Sequence, residues 1–129
     1  MPVTHSNAAR DAINDALDAV INAGSANASG QLVLLDGATD IVVFDLANPA
    51  FGASSAGTLT LDVGGSGIDA NAIATGEVDS AEIRDRDEDP HIFCSVGGVG
   101  SGADIEVSNV SIATAQDCTL ESLSYTAAP

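Results

Sequence analysis

Lysine and tryptophan are absent from this chain of 129 residues. Its basic residues are Arg10, Arg84 and Arg86, and its aromatics are Phe44, Phe51, Phe93 and Tyr125. Each shortage closes a class of function. Nucleic-acid binding needs cations to displace the counterions on phosphate, and three arginines form no such patch. An anionic membrane surface repels the chain, because 19 acids leave it a net charge of −16. Without lysine there is no P-loop. The glycine stretch after Val96 reads Gly98-x-Gly100-x-Gly102 and leads into a strand, so no helix N-terminus stands ready for a phosphate. Any two acids could meet in space as a glycosidase pair. A sugar cleft, however, is normally lined by aromatics, and so few of them weaken both a glycosidase and a lectin reading.

Two cysteines, Cys94 and Cys118, lie 24 positions apart and offer neither a CxxC redox motif nor a zinc motif. Cys94 is in phase with Ile92 and Val96, and Cys118 with Leu120. They read as two small buried hydrophobes, or as a bridge between neighbouring strands if their Cα atoms approach within about 7 Å. Residues 1–6 lack the basic-then-apolar order of a secretion signal, and no run approaches the ~20 apolar residues of a membrane span. The expectation is synthesis in a cytoplasm. The acid excess keeps a crowded protein dispersed by self-repulsion and suits salty surroundings.

What is present is a single domain's worth of chain, residues 1–129, with a globular hydrophobic share of 45%. It divides into an N-terminal arm (1–6), a helix (7–23) and a β-rich body (31–127). Ala9, Ala12, Ile13, Ala16, Leu17, Val20 and Ile21 recur at helical spacing and form one apolar stripe, with Asn14, Asp18 and Asn22 on the opposite face. Thr4 or Ser6 is placed to cap the start, Asp11 and Asp15 lie toward the positive end of the dipole, and Gly24 suits a left-handed C-cap. A Gly/Ser/Ala/Asn linker follows.

The runs Gln31-Leu-Val-Leu-Leu35 and Ile41-Val-Val-Phe44 are apolar on both faces, so both faces are expected to be covered, by a second sheet or by the helix. The Asp36-Gly37-Ala38-Thr39 turn joins them. Further strands are expected around 59–63, 70–74, 77–86, 91–96, 105–107 and 110–112, with a last one over 118–126. Gly64-Gly-Ser-Gly67 and residues 97–102 are turns or loops. One helix followed by seven to nine short strands predicts a mainly β fold, a β-sandwich or jelly-roll-like domain preceded by one amphipathic helix.

Asp85, Asp87 and Asp89 alternate within Arg84-Asp-Arg-Asp-Glu-Asp-Pro90. Hard Ca²⁺ wants several carboxylate oxygens, but the sixth position of an EF-hand loop is Pro90 here and the twelfth is Val96. A solvated hairpin tip, with Arg84 and Arg86 offsetting repulsion, is the plainer reading; a weak calcium site on these aspartates is the alternative. His5 and His91 are the only histidines. Neither accompanies a nucleophile motif, and alternation puts His91 and Cys94 on opposite faces of a strand. No catalytic residue and no cofactor site is expected.

Several phrases occur in a telling order. An alanine-rich helix, Ala8-Ala-Arg-Asp-Ala-Ile-Asn-Asp-Ala-Leu-Asp-Ala-Val-Ile-Asn-Ala-Gly24, precedes Asn48-Pro-Ala-Phe-Gly-Ala53 and Ala74-Thr-Gly76. An acidic hairpin, Ser95-Val-Gly97, Ser101-Gly-Ala-Asp-Ile105 and a Ser/Thr-rich final strand follow. Over most of its length the chain resembles the small head-decoration, or cement, proteins of tailed bacteriophages. It departs from them at Ala81-Glu-Ile-Arg84, where those proteins carry aromatics, and at Gly98-Val-Gly100, which reads as an insertion.

The resemblance implies a non-enzymatic virion protein on the outer capsid surface, made in a bacterial cytoplasm. It implies a homotrimer bridging capsomers, with the major capsid protein as partner and no nucleic acid or membrane. Val3, Thr4 and His5 in the arm, Ile13 and Leu17 in the helix, and Phe51 are the expected partner contacts. The alternatives are a tail- or fibre-associated virion protein and, from another class, a calcium-dependent adhesion module using Asp85, Asp87 and Asp89.

Overall fold

The computed structural model describes residues 3–64 and 67–126. Met1 and Pro2 of the arm, the middle of the 64–67 turn and Ala127 lie outside the described residues. Helix α1 spans Asn7–Ile21. Of the two expected caps Ser6 is the one used: on an extended backbone, its hydroxyl accepts the N–H of Ala9 at 3.1 Å. The helix ends at Ile21, short of the expected 23. Asn22 is the C-cap, and its N–H donates to the Asp18 carbonyl. Gly24 is therefore not the cap, although its φ is +116°. Asp11 and Asp15 lie beyond the first turn, which carries no acid, so the dipole is not what they serve.

The body is mainly β, as the sequence predicts. Strands β1 (Gln31–Asp36) and β2 (Thr39–Asp45) form an antiparallel hairpin, with Gly37 at φ +59° in the turn. Next come β3 (Thr58–Thr60), β4 (Ile68–Asn71), β5 (Gly76–Glu77), β6 (Ser80–Arg84), β7 (Pro90–Gly98), β8 (Ile105–Val107), β9 (Ser111–Ile112), β10 (Asp117–Leu120) and β11 (Ser124–Thr126). One five-stranded sheet runs β2-β1-β6-β7-β8, and three two-stranded ribbons pair β10 with β4, β11 with β3 and β5 with β9.

Two of the expected strands are broken. The segment 77–86 divides into β5 and β6, because the Val78 N–H leaves to the Val110 carbonyl and that of Asp79 to the Leu35 carbonyl. The segment 118–126 divides into β10 and β11, and the Leu123 carbonyl between them accepts the Leu61 N–H. β8 runs parallel to β7. Its connection is far shorter than the dozen residues usual between parallel strands, and positive φ at Gly100 and Gly102 lets the chain turn there.

The register puts Leu32, Leu34, Val42, Phe44, Ala81, Ile83, Ile92 and Cys94 on one face of the sheet. Leu59, Leu61, Ala72, Ile112 and Leu120 from the ribbons and loops complete a single core. The Ile73 N–H donates to the Ile41 carbonyl at 2.8 Å, so the sheet curls from β2 toward β4 and β10. Between β10 and β8 the curl leaves an open cavity of ≈ 720 Å³, floored by Leu32, Leu34 and Phe44.

The opposite face of β1 has a cover that the sequence did not predict. Arg84 lies opposite Gln31 and Asp40 opposite Leu35. The Arg84 guanidinium holds both Asp40 oxygens, at 3.1 and 3.0 Å, so this pair crosses β1 diagonally over the fully buried Val33. Arg84 therefore serves Asp40, and also Glu82 at 2.9 Å, and does not offset the hairpin acids. Asp40 is the chief reason its guanidinium is held more firmly protonated than usual.

Candidate functional site

The helix is docked by its polar face. Among its residues only Asn14 and Ile21 are buried, with Arg10, Asp11, Leu17 and Asp18 half-buried beside them. The surface they meet is the long loop of residues 47–57, which has little backbone pairing of its own. The Gly52 and Ser55 N–H groups bond back to the Thr60 and Thr58 carbonyls; other amide groups of the loop need partners, and the helix supplies them. The Asn22 side chain accepts the Ala50 N–H at 2.9 Å, and Asp18 accepts the Phe51 N–H at 3.1 Å. Asp15 accepts the Ser54 N–H at 3.3 Å, and Asp11 accepts the Gly57 N–H at 2.8 Å and the Ser54 hydroxyl at 2.7 Å. Asn14 donates to the Ser54 hydroxyl at 3.0 Å and to the Gly57 carbonyl at 2.9 Å.

The Ser54 hydroxyl, the Gly57 N–H and the nearby Arg10 guanidinium hold the Asp11 carboxyl below its ordinary range. Gly57 is required here. Its φ is +84°, a left-handed conformation that a side chain adopts only with strain, and the Arg10 guanidinium packs over the space a Cβ would take. Gly30 plays a related part at the other end of the helix. A Cβ there would come within 2.8 Å of the Arg84 carbonyl oxygen and 2.7 Å of the Ile21 side chain, so only glycine lets the helix end sit against β6.

The consequence is a reversal of the predicted faces. Asn14, Asp18 and Asn22, on the face opposite the apolar stripe, make the docking contacts. Of the apolar stripe Leu17 and Ile21 turn inward, and Ala9 in the first turn is half-buried. Ala12, Ile13, Ala16, Ala19 and Val20 face solvent, with Ile13 48% and Val20 40% exposed. The expected partner contacts divide in the same way. Val3 is 82% exposed, and Thr4, His5 and Ile13 are exposed too. Leu17 is half-buried. Phe51 is 2% exposed and belongs to the core, because its backbone is fixed by Asp18 and its neighbour Leu61 closes the loop onto β3. It is not a surface contact.

The acidic hairpin is a second clamp. Asp85 accepts the N–H groups of Asp87 at 2.8 Å and Asp89 at 3.1 Å, and its other oxygen meets His91 Nε2 at 2.8 Å. Asp87 accepts the N–H groups of Ser25 and Ala26 at 2.9 and 3.0 Å. Arg86 Nε donates to the Asn27 carbonyl at 2.7 Å. The positive φ of Gly24 and its missing side chain make room for the Asp87 carboxylate, which a Cβ would meet at 2.8 Å. The hairpin thus ties down the linker that follows the helix. His91 is the main reason the Asp85 carboxyl lies below its usual range, and the Ser25 N–H the main reason for Asp87.

With Asp85 and Asp87 turned to backbone amides, Asp89 is not joined to them in a ligand set. Among the described residues no three His, Cys, Asp or Glu side chains are placed to hold a metal ion. Cys94 and Cys118 are free and half-buried against the core, and burial is the larger cause raising both thiols. No helix among the described residues is long and apolar enough to cross a membrane.

Sequence reasoning missed the docking role of Asp11, Asn14, Asp18 and Asn22. One signal was present: these residues recur at three- and four-residue steps, a polar stripe as regular as the apolar one, made of side chains that bond well to backbone amides. Comparison with family models, with curated proteins and with solved structures finds no match for this chain.

Proposed function

We propose that the chain is a non-enzymatic virion protein that decorates and stabilises the outer surface of a tailed-phage capsid, as a homotrimer bridging capsomers formed by the major capsid protein. One observation carries the reading. The two longest phrases of the resemblance, the alanine-rich helix and Asn48-Pro-Ala-Phe-Gly-Ala53, are far apart in sequence but form one unit, in which Asn22 and Asp18 hold the Ala50 and Phe51 N–H groups. The phrases therefore share a physical reason for occurring together.

The role suits the physics. Asp11, Asp15, Asp18, Asp85 and Asp87 are spent fixing loops, and residues 3–6 of the arm are exposed. A closed threefold assembly matches the local threefold axes of a capsid. Several weak contacts per trimer add through effective concentration, and binding only the mature lattice stabilises that lattice by linkage.

The test is co-sedimentation of the purified protein with expanded, undecorated capsids of a tailed phage, followed by heating of the decorated shells. The reading expects saturable binding and a higher temperature of shell disruption. Shells that neither bind the protein nor gain stability would overturn it.

A further inference from the structure

At about 100° per residue, Ala9, Ala12, Ile13, Ala16, Ala19 and Val20 fall within an arc of about 120° on α1. That arc points away from the docked Asn14 and Asp18. It contains no ionisable side chain, in a chain of 19 acids. The acids that the helix does carry, Asp11, Asp15 and Asp18, all accept from the 51–57 loop. A helix that spends its polar side on its own protein and leaves Ile13 and Val20 about half exposed has an unpartnered apolar face.

We propose that this face is where copies of the chain meet, and that its occupant is the same face of two neighbouring copies, packed as a parallel three-helix cluster about a threefold axis. The inference rests on the trimer named in the proposed function and assigns its contact surface. Three observations favour a second copy of the chain as occupant.

Ala9, Ile13, Ala16 and Val20 are spaced four, three and four apart, the heptad spacing of helices that pack on their own kind, with β-branched Ile13 and Val20 at one position and the small Ala9 and Ala16 at the other, where backbones can approach closely. Next, each copy carries −16. Copies repel except where no carboxylate faces the partner, and this arc is such a place. The third is area. A helix of 15 residues is about 22 Å long and about 10 Å wide, a footprint on the order of 220 Å². A stable pair needs about 800 Å² from each partner, so one footprint does not hold a dimer. A ring shares this arc between two neighbours and adds no area of its own, but each copy is then held from two sides at once and the contacts add through effective concentration, and a 120° arc is wide enough to face both neighbours.

The experiment is native mass by light scattering on the full chain, for the natural sequence, for Ala16→Glu and for Ala38→Glu, a control in the exposed β1–β2 turn. Circular dichroism checks that the folded spectrum is kept, which glutamate on an exposed helix position allows. The natural chain and Ala38→Glu should show about three times the chain mass of 12.8 kDa, and Ala16→Glu the single-chain mass. A natural chain that is monomeric, or an Ala16→Glu chain that keeps the trimer mass, would overturn the inference.

Capsid co-sedimentation of the same proteins separates this failure from that of the proposed function. A monomer that still binds capsids overturns the helix cluster and leaves the capsid role standing. A trimer that Ala16→Glu dissolves but that ignores capsids does the reverse. An Ala16→Glu trimer that no longer binds capsids assigns the arc to the shell and overturns the self-contact.

Discussion

Replacing Asn14 by alanine probes the reversed helix most sharply. A reading of the sequence alone places Asn14 on the face opposite the apolar stripe; were that face in solvent, the change would be worth roughly a few tenths of a kcal/mol in the helix's favour. The structure buries it completely and has it donate to the Ser54 hydroxyl and the Gly57 carbonyl. Two neutral hydrogen bonds net about 2 kcal/mol, and a buried carbonyl left unpaired costs about 1–3 kcal/mol more. Against this stand about 0.5 kcal/mol of better helix propensity and the removal of the buried Asn14 Oδ1, which accepts no hydrogen bond. The expected net loss is about 2 kcal/mol. Urea unfolding at neutral pH reads it as a lower midpoint with an unchanged slope. A cycle with Ser54→Ala should show coupling of about 0.5–1.5 kcal/mol. A loss under about 0.5 kcal/mol, or no coupling, would refute the docking of this face.

Two further outcomes follow from the same contacts. Asp11 is held below its ordinary 3.8, so its ionised form favours the folded state. That contribution is complete above the unfolded value and is lost as pH falls through the lowered folded one. The stability gap between the natural chain and Asp11→Asn should therefore be constant from pH 7 down to about 5 and close below 3.8; a gap that widens on acidification contradicts the contact. Gly30→Ala should lower stability by about 1–3 kcal/mol, since its Cβ meets the Arg84 backbone, and calorimetry showing an unchanged midpoint would mean that the helix end does not sit against β6.

The parts of the fold that were legible are those set by neighbours in sequence. The β1–β2 hairpin follows from two apolar runs around Asp36-Gly37, the Ser6 cap from a hydroxyl before a periodic run, and the core phase of Cys94 and Leu120 from strand alternation. The facing of the helix was not legible, because alanine makes up most of the apolar stripe and burying it gains little area. The amides of residues 50–57 reward bonding partners more, and nothing near the helix in sequence announces them. The acidic hairpin was legible as a hairpin with an exposed tip, residues 87–90, but its tie to the linker was not, for the same reason: the partners of Asp87 are Ser25 and Ala26, some 60 positions away. Likewise the cover over Val33 depends on Asp40 reaching Arg84 across a strand, and the breaks inside 77–86 and 118–126 on amides that leave for distant carbonyls. Of the expected contact residues, Val3 and Ile13 are where a partner can reach them. Phe51 was drawn into the core by the loop that carries it.

The central claim, a structural protein on the head surface of a virion, is tested most directly by locating the chain in particles. Immunogold labelling of intact virions that contain it, viewed by electron microscopy, should place label over the faceted head in many copies and leave the tail clean. Label confined to the tail, or particles free of label whose lysate contains the protein, would contradict it.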